Sequence, residues 1–318
     1  MIAVLAWMGR HATALLLAGF VLVPLLPIPA GLLAPTLPAL VALVIGLGVA
    51  RLPLSMILTD LAAPRRMAPV LLGLLIFQPV TAFLIGQAGL AAGLLPALMV
   101  LPIAFAAAPP LSSAPNLALI LGYDARIALH FTLLGTVLSP LLVPLCVWLA
   151  GLEAGIGPMT VASRVLLLLA AGLALGALIQ WKVGLERIRA HPQVFNGAAT
   201  LAMLLFLFPL MDGVASEIRA RPLLVLELAG LALALNLGGN FLVRALAGRL
   251  LPAATARALG LLFGNRNISV LLAVLPVDPL LNLFVAVAQL PIYGTPLLLS
   301  TLDRRRTSCP PIPPSSES

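Results

Sequence analysis

Two short stretches set polar residues beside helix breakers in the middle of apolar sequence. The first is Ala108-Pro109-Pro110-Leu111-Ser112-Ser113-Ala114-Pro115-Asn116, and the second is Phe263-Gly264-Asn265-Arg266-Asn267. Proline lacks the N–H that continues a helical ladder, and glycine is costly in a helix interior, so each stretch reads as an interrupted helix. Lipid cannot satisfy the backbone groups an interruption frees, so they must be buried in protein or line a wet cavity. There they bind ions and polar solutes. Ser112, Ser113, Asn116, Asn265 and Asn267 add side-chain donors and acceptors at the same depth.

Arg266 is the most informative residue. A charge near the bilayer centre costs at least ~2.5–3.5 kcal/mol, so it faces protein or water. No acidic residue shares its apolar segment, although Asp278 lies at the segment's end. Arg266 either caps carbonyls freed by the breaks or supplies a fixed charge where a cation would sit or an anionic solute would dock. The two roles are compatible. Asn236 and Asn240, four residues apart, share a helix face that suits helix–helix hydrogen bonding or a site. Gln289 and Tyr293 suit a cleft or packing equally, and His130 reads as an interior histidine.

Other chemistries fit poorly. Metal hydrolysis would want His-Glu-x-x-His, and His11, His130 and His191 show no ligand spacing. No two carboxylates lie mid-membrane to form a protease pair. The chain therefore reads as a non-enzyme without a cofactor. Cys146 and Cys309 give no disulfide or metal pattern. The net charge of +8 is scattered between apolar segments, which argues for topology rather than nucleic acid as its cause.

The elements that must hold these residues are membrane helices. The chain has 318 residues, of which 62% are hydrophobic and 9% charged, against roughly 25% charged in soluble domains. Residues 12–50 and 67–123 contain no Asp, Glu, Lys, Arg or His. A membrane helix needs about 20 apolar residues, so the second interval crosses at least twice. Cutting at charges, prolines and glycines predicts an all-α polytopic protein of about ten spans, near 12–30, 35–57, 68–90, 94–120, 126–150, 158–181, 194–212, 222–244, 254–277 and 279–301. The run 14–26 follows Arg10 but is read as a first span rather than a signal peptide. Basic residues collect on cytoplasmic loops, and ten spans with both termini inside place 14 of the 18 there and 3 outside, with Arg266 within a span. Residues 1–306 form one transmembrane domain, and 307–318, rich in Pro and Ser, form a disordered cytoplasmic tail.

The two halves echo each other. Asn116 and Asn267 lie half a chain apart, and Ser139-Pro140-Leu141-Leu142 is echoed by Thr295-Pro296-Leu297-Leu298 at nearly the same offset. Five spans per half would invert the second half, giving repeats over about 12–150 and 158–301 with a transport site at the breaks.

Leu54-Ser55-Met56-Ile57-Leu58-Thr59-Asp60 with Arg65-Arg66, Pro79-Val80-Thr81-Ala82-Phe83, Pro115-Asn116, Ser139-Pro140-Leu141-Leu142-Val143-Pro144, Asn236 and Gly264-Asn265-Arg266-Asn267 follow in that order. Over nearly the whole chain this resembles the bile acid/sodium symporter family, whose wider clan includes arsenite carriers. The resemblance implies a core of helices three to five and eight to ten, with the fourth and ninth crossing at their breaks. Helices one, two, six and seven would form a panel, and a solute would sit in the cleft between. The sodium sites depart from the family. Aligned on Asn267, the family's acidic ligand position holds Leu262 and its Gln position holds Arg266; Pro115 replaces a Ser. The third-helix Gln position falls on Leu74, with Gln78 nearby. Asn116, Thr132 and Asn267 are the residues left to hold sodium. The expected function is alternating-access transport of a small organic anion in a bacterial inner membrane, with little or no sodium coupling. The alternative is a membrane sensor or scaffold that keeps the fold without transport.

Overall fold

A computed structural model describes residues 2–26, 33–51, 64–151, 157–275 and 278–307. Among them there is no strand, only helices, short connections and one isolated backbone bridge. Five helices are long and apolar enough to cross a membrane, or seven if each of two bent pairs counts as one span. The chain is a membrane-embedded helical protein. The Leu54–Asp60 motif and the tail beyond Thr307 lie outside the described residues.

The chain begins with α1 (Ile2–Arg10) and α2 (Ala12–Leu22), bent by 88° around His11, so the first predicted span is preceded by a helix that the sequence reading left out. Then comes α3 (Leu37–Val49). α4 (Pro64–Leu72) runs through a π-wound segment, Gly73–Phe77, into α5 (Gln78–Ala91). Pro79 has no N–H to continue the ladder, and the wider π turn absorbs the slip while it changes which face the next residues present. Gln78 emerges buried, at 2% exposure.

The first polar stretch interrupts α6 (Pro96–Ala107) from α7 (Ala114–Ile120), and the second interrupts α15 (Ala253–Gly264) from α16 (Ser269–Val274). Between them run α8 (Ala125–Val137), α9 (Ser139–Leu149), α10 (Pro158–Val183), α11 (Leu185–Ala190), α12 (Pro192–Leu210), α13 (Val214–Ala220) and α14 (Pro222–Ala247); α17 (Pro279–Thr307) closes the chain.

Segment 126–150 is not one straight span: α8 and α9 meet at a 75° bend around Leu138. Its echo, Thr295-Pro296, lies within the single helix α17. In both places the carbonyl that proline frees finds a side-chain donor. Pro140 leaves Thr136 O without its ladder donor, and the neighbouring Ser139 hydroxyl caps it locally at 2.8 Å. Pro296 leaves Ile292 O free in the same way, and Asn265 Nδ2 reaches it from another helix at 2.5 Å.

The helices pack in two groups. α12 gathers α1, α2 and α3, and α3 lies along α10; α5, α6, α8, α9 and α14 to α17 pack among themselves. Small residues allow the close approach, as at other membrane helix interfaces. A Cβ on Gly172 of α10 would meet Ile45 at 2.7 Å, and one on Gly264 of α15 would meet Asn236 O of α14 at 2.5 Å. Between the groups, α10 packs on α9, and α16 touches α3 and α10.

Candidate functional site: a paired helix break beside a basic cleft

The two interruptions face each other and pair as a short piece of antiparallel backbone at Pro110 and Arg266. Leu111 N donates to Asn265 O at 3.0 Å, and Asn267 N donates to Pro109 O at 2.8 Å. Successive carbonyls at the end of α6 are then capped in turn. Gln78 Nε2 donates to Ala107 O at 3.0 Å, and Arg266 Nη1 donates to Ala108 O at 3.1 Å. The other break is closed by asparagines: Asn236 Nδ2 donates to Gly264 O at 2.6 Å and to Asn265 Oδ1 at 3.2 Å, while Thr295 donates its hydroxyl proton to Asn236 Oδ1. Backbone groups that lipid could not satisfy find protein partners instead.

Arg266 is 2% exposed. Besides Ala108 O, its Nη1 reaches Gln78 Oε1 at 3.2 Å, and the guanidinium carbon sits 4.4 Å from the centroid of the Phe263 ring. Phe77 and Phe131 pack edge-on against Phe263, with centroids 4.9 and 5.3 Å away, and fix that ring under the cation. Arg266 makes no ion pair among the described residues, and its Nε has no partner. Neutral oxygens and an aromatic face carry its charge.

Beside the crossing lies a cleft of two adjoining cavities, about 1240 and 420 Å³, which share Arg51, Ser113, Asn116, Leu119, Ala199 and Met203. It lies between α3 and α12 on one side and α7 and α17 on the other. Among the described residues Arg10, Arg51, Arg126, Arg189 and Arg257 line it, against one carboxylate, Asp303. That carboxylate is engaged: Arg244 Nη2 donates to Oδ1 at 2.7 Å, and the Tyr123 hydroxyl donates to Oδ2. Burial, then the bond to Asp303, push the Tyr123 phenol above its usual range. The adjacent Asp124 caps α8 through Ile127 N at 3.1 Å and accepts from the Thr255 hydroxyl at 2.9 Å, so the α7–α8 turn is tied to α14, α15 and α17.

Seven of the nine predicted site residues fall into two sets. Ser112, Ser113 and Asn116 line the cleft. Asn236, Asn265 and Arg266 build the crossing, and Asn267 joins it through its backbone. Thr132 is buried with no partner on its hydroxyl among the described residues. Gln289 is buried and turned back onto its own helix, donating to Val285 O at 3.0 Å. No hydrogen bond among the described residues joins Asn116, Thr132 and Asn267. Gln78, not Leu74, is the third-segment residue at the crossing; Leu74 is fully buried in the apolar core. The sequence reading missed Arg51, Asn196 and Arg257. Arg51 and Arg257 read in the sequence as two among the cytoplasmic basic residues, and nothing in their spacing marks them as facing one cleft.

No protein-family model matches the chain, and neither does any curated protein. Its likeness to bile acid/sodium symporters rests on the motifs alone.

Proposed function

We propose that the chain is a secondary transporter that moves a small organic anion by alternating access, with ten spans in two inverted five-helix units and both termini in the cytoplasm of a bacterial inner membrane. The observation that carries this reading is the paired break: two interrupted helices bonded backbone to backbone, with a buried cation at the crossing and a basic cleft beside it. Interrupted helices at matching places in two halves are the sequence mark of a transport site at the bilayer midplane. The cleft separates the two packing groups, α1 to α3, α10 and α12 acting as the panel and the remainder as the core. Its lining includes Gly122, Arg189 and Arg257, which lie at the side that the basic residues assign to the cytoplasm.

Sodium coupling is weak or absent in this scheme. Among the described residues the crossing offers no carboxylate, and Arg266 already donates to a carbonyl that a bound cation would use. The carrier is then a uniporter, an exchanger or proton-coupled, with Arg266 as a permanent substitute for the ion. The test is uptake of organic anions into proteoliposomes holding the purified chain, with sodium or potassium outside. Saturable uptake that competing anions inhibit supports the reading. Specific binding without flux would favour the sensor or scaffold instead.

A further inference from the structure

We propose that Arg51 is the residue that reads the solute's charge, docking its anionic group at the inner end of the cleft; this rests on the transport site proposed above. Arg51 follows the last turn of α3, where the helix dipole favours a cation. Three contacts hold it. Gln180 Nε2 of α10 donates to Ala50 O at 3.0 Å and fixes the backbone before it. Its Nη1 donates to Asn196 Oδ1 of α12 at 2.6 Å, and its Nη2 donates to Phe195 O. A guanidinium restrained at backbone and head loses little freedom when it meets a ligand, which is how preorganisation raises affinity.

Among the described residues the charge on Arg51 has no counter-charge. Its described partners are an amide and a carbonyl, both neutral, whereas Arg244 pairs with Asp303 and Arg189 with Glu186. Arg51 is half-buried and lines both cavities. It also stands close to the break: a Cβ on Gly48, one turn before it, would meet Ser112 Cβ at 3.2 Å. An anionic group on Arg51 would therefore lie within the cavity that Ser112, Ser113 and Asn116 line, where neutral donors complete its shell. Leu119, Ala199 and Met203 give that region an apolar wall, so the ligand class is an organic anion with an apolar body.

The test compares charged and neutral ligands of one shape. Isothermal titration calorimetry of the purified full chain would use 2-naphthoate and 4-phenylbutyrate, each beside its carboxamide. The acids should bind wild type more tightly than their amides. Arg51→Gln should cut acid affinity at least about tenfold and leave amide affinity unchanged, the loss of one charge-assisted contact. Asn196→Asp keeps Arg51 and its packing but adds an internal counter-anion, and should erase the acid preference in a folded protein. Arg51→Lys should restore part of it. Equal binding of acids and amides to wild type, an acid preference that survives both Arg51→Gln and Asn196→Asp, or no binding by any acid would overturn the assignment. Flux reports separately: a chain that transports without using Arg51 refutes this proposal alone, and one that binds through Arg51 without flux refutes only transport.

Discussion

Arg266 donates from Nη1 to the carbonyl of Ala108, 158 residues earlier in the chain, at 3.1 Å. Both residues sit at breaks, and each supplies what the other lacks. Ala108 O has lost its helical donor, and Arg266 has no carboxylate partner among the described residues. Replacing Arg266 by Ala strands Ala108 O and Gln78 Oε1 in a buried site, where each unpaired polar group costs about 1–3 kcal/mol. Unfolding of the purified protein should show a loss of roughly 2–6 kcal/mol on that basis. An unchanged transition would mean that Arg266 does not brace the crossing.

Uptake should be nearly the same in sodium and potassium. Two unit charges 4 Å apart repel by about 4 kcal/mol at an effective dielectric of 20. A sodium ion that near Arg266 would lose roughly a thousandfold in affinity. Leu262→Glu with Arg266→Gln restores the acid and removes the cation, and should introduce a sodium response. Steep sodium dependence in wild type would contradict this account.

Gly264→Ala and Gly230→Ala make the same chemical change in different surroundings. The new Cβ at Gly264 meets Asn236 O at 2.5 Å and Asn240 Cβ at 2.9 Å, atoms that α14 cannot withdraw without moving. Overpacking of this kind costs about 1–3 kcal/mol. Nothing lies within 4 Å at Gly230, so there the better helix propensity of alanine should leave stability unchanged or raise it by up to about 1 kcal/mol. Melting curves of the two variants should diverge in that order.

Arg164 should hold the outer side closed. Its Nη1 donates to Val274 O at 3.0 Å, which joins α10 to the end of α16 across the two helix groups. If alternating access separates these groups, Arg164→Gln should favour the outward-open form. A cysteine in place of Ser112, in a background lacking Cys146 and Cys309, should then react faster with an impermeant maleimide added outside. No change in rate would remove Arg164 from the gate.

The basic residues predict the orientation. Reporter domains fused after Arg306 and within residues 182–192 should both read as cytoplasmic. An external signal at either position would overturn the topology and, with it, the inverted repeat.

The helical, membrane-embedded character of the chain was legible in its sequence, because transfer free energy depends on composition and run length, both local quantities. So were the breaks at Pro109-Pro110 and Gly264–Asn267, since a missing N–H interrupts a helix wherever it lies. What those breaks bond to was not local. That Pro110 lies against Arg266, that Asn265 caps the carbonyl Pro296 frees in α17, and that Gln78 rather than Leu74 reaches the crossing all depend on helices far apart in the chain. The π turn before Gln78 shows why: one extra residue in the winding turns the following side chains to another face, and packing decides whether it forms. The two Ser/Thr-Pro dipeptides make the same point, since similar local sequence bends one helix by 75° and stays within a single helix in the other. Arg51 is the clearest case. Its charge was visible in the sequence, but only tertiary structure set its head on Asn196 and Phe195 at the wall of the cleft.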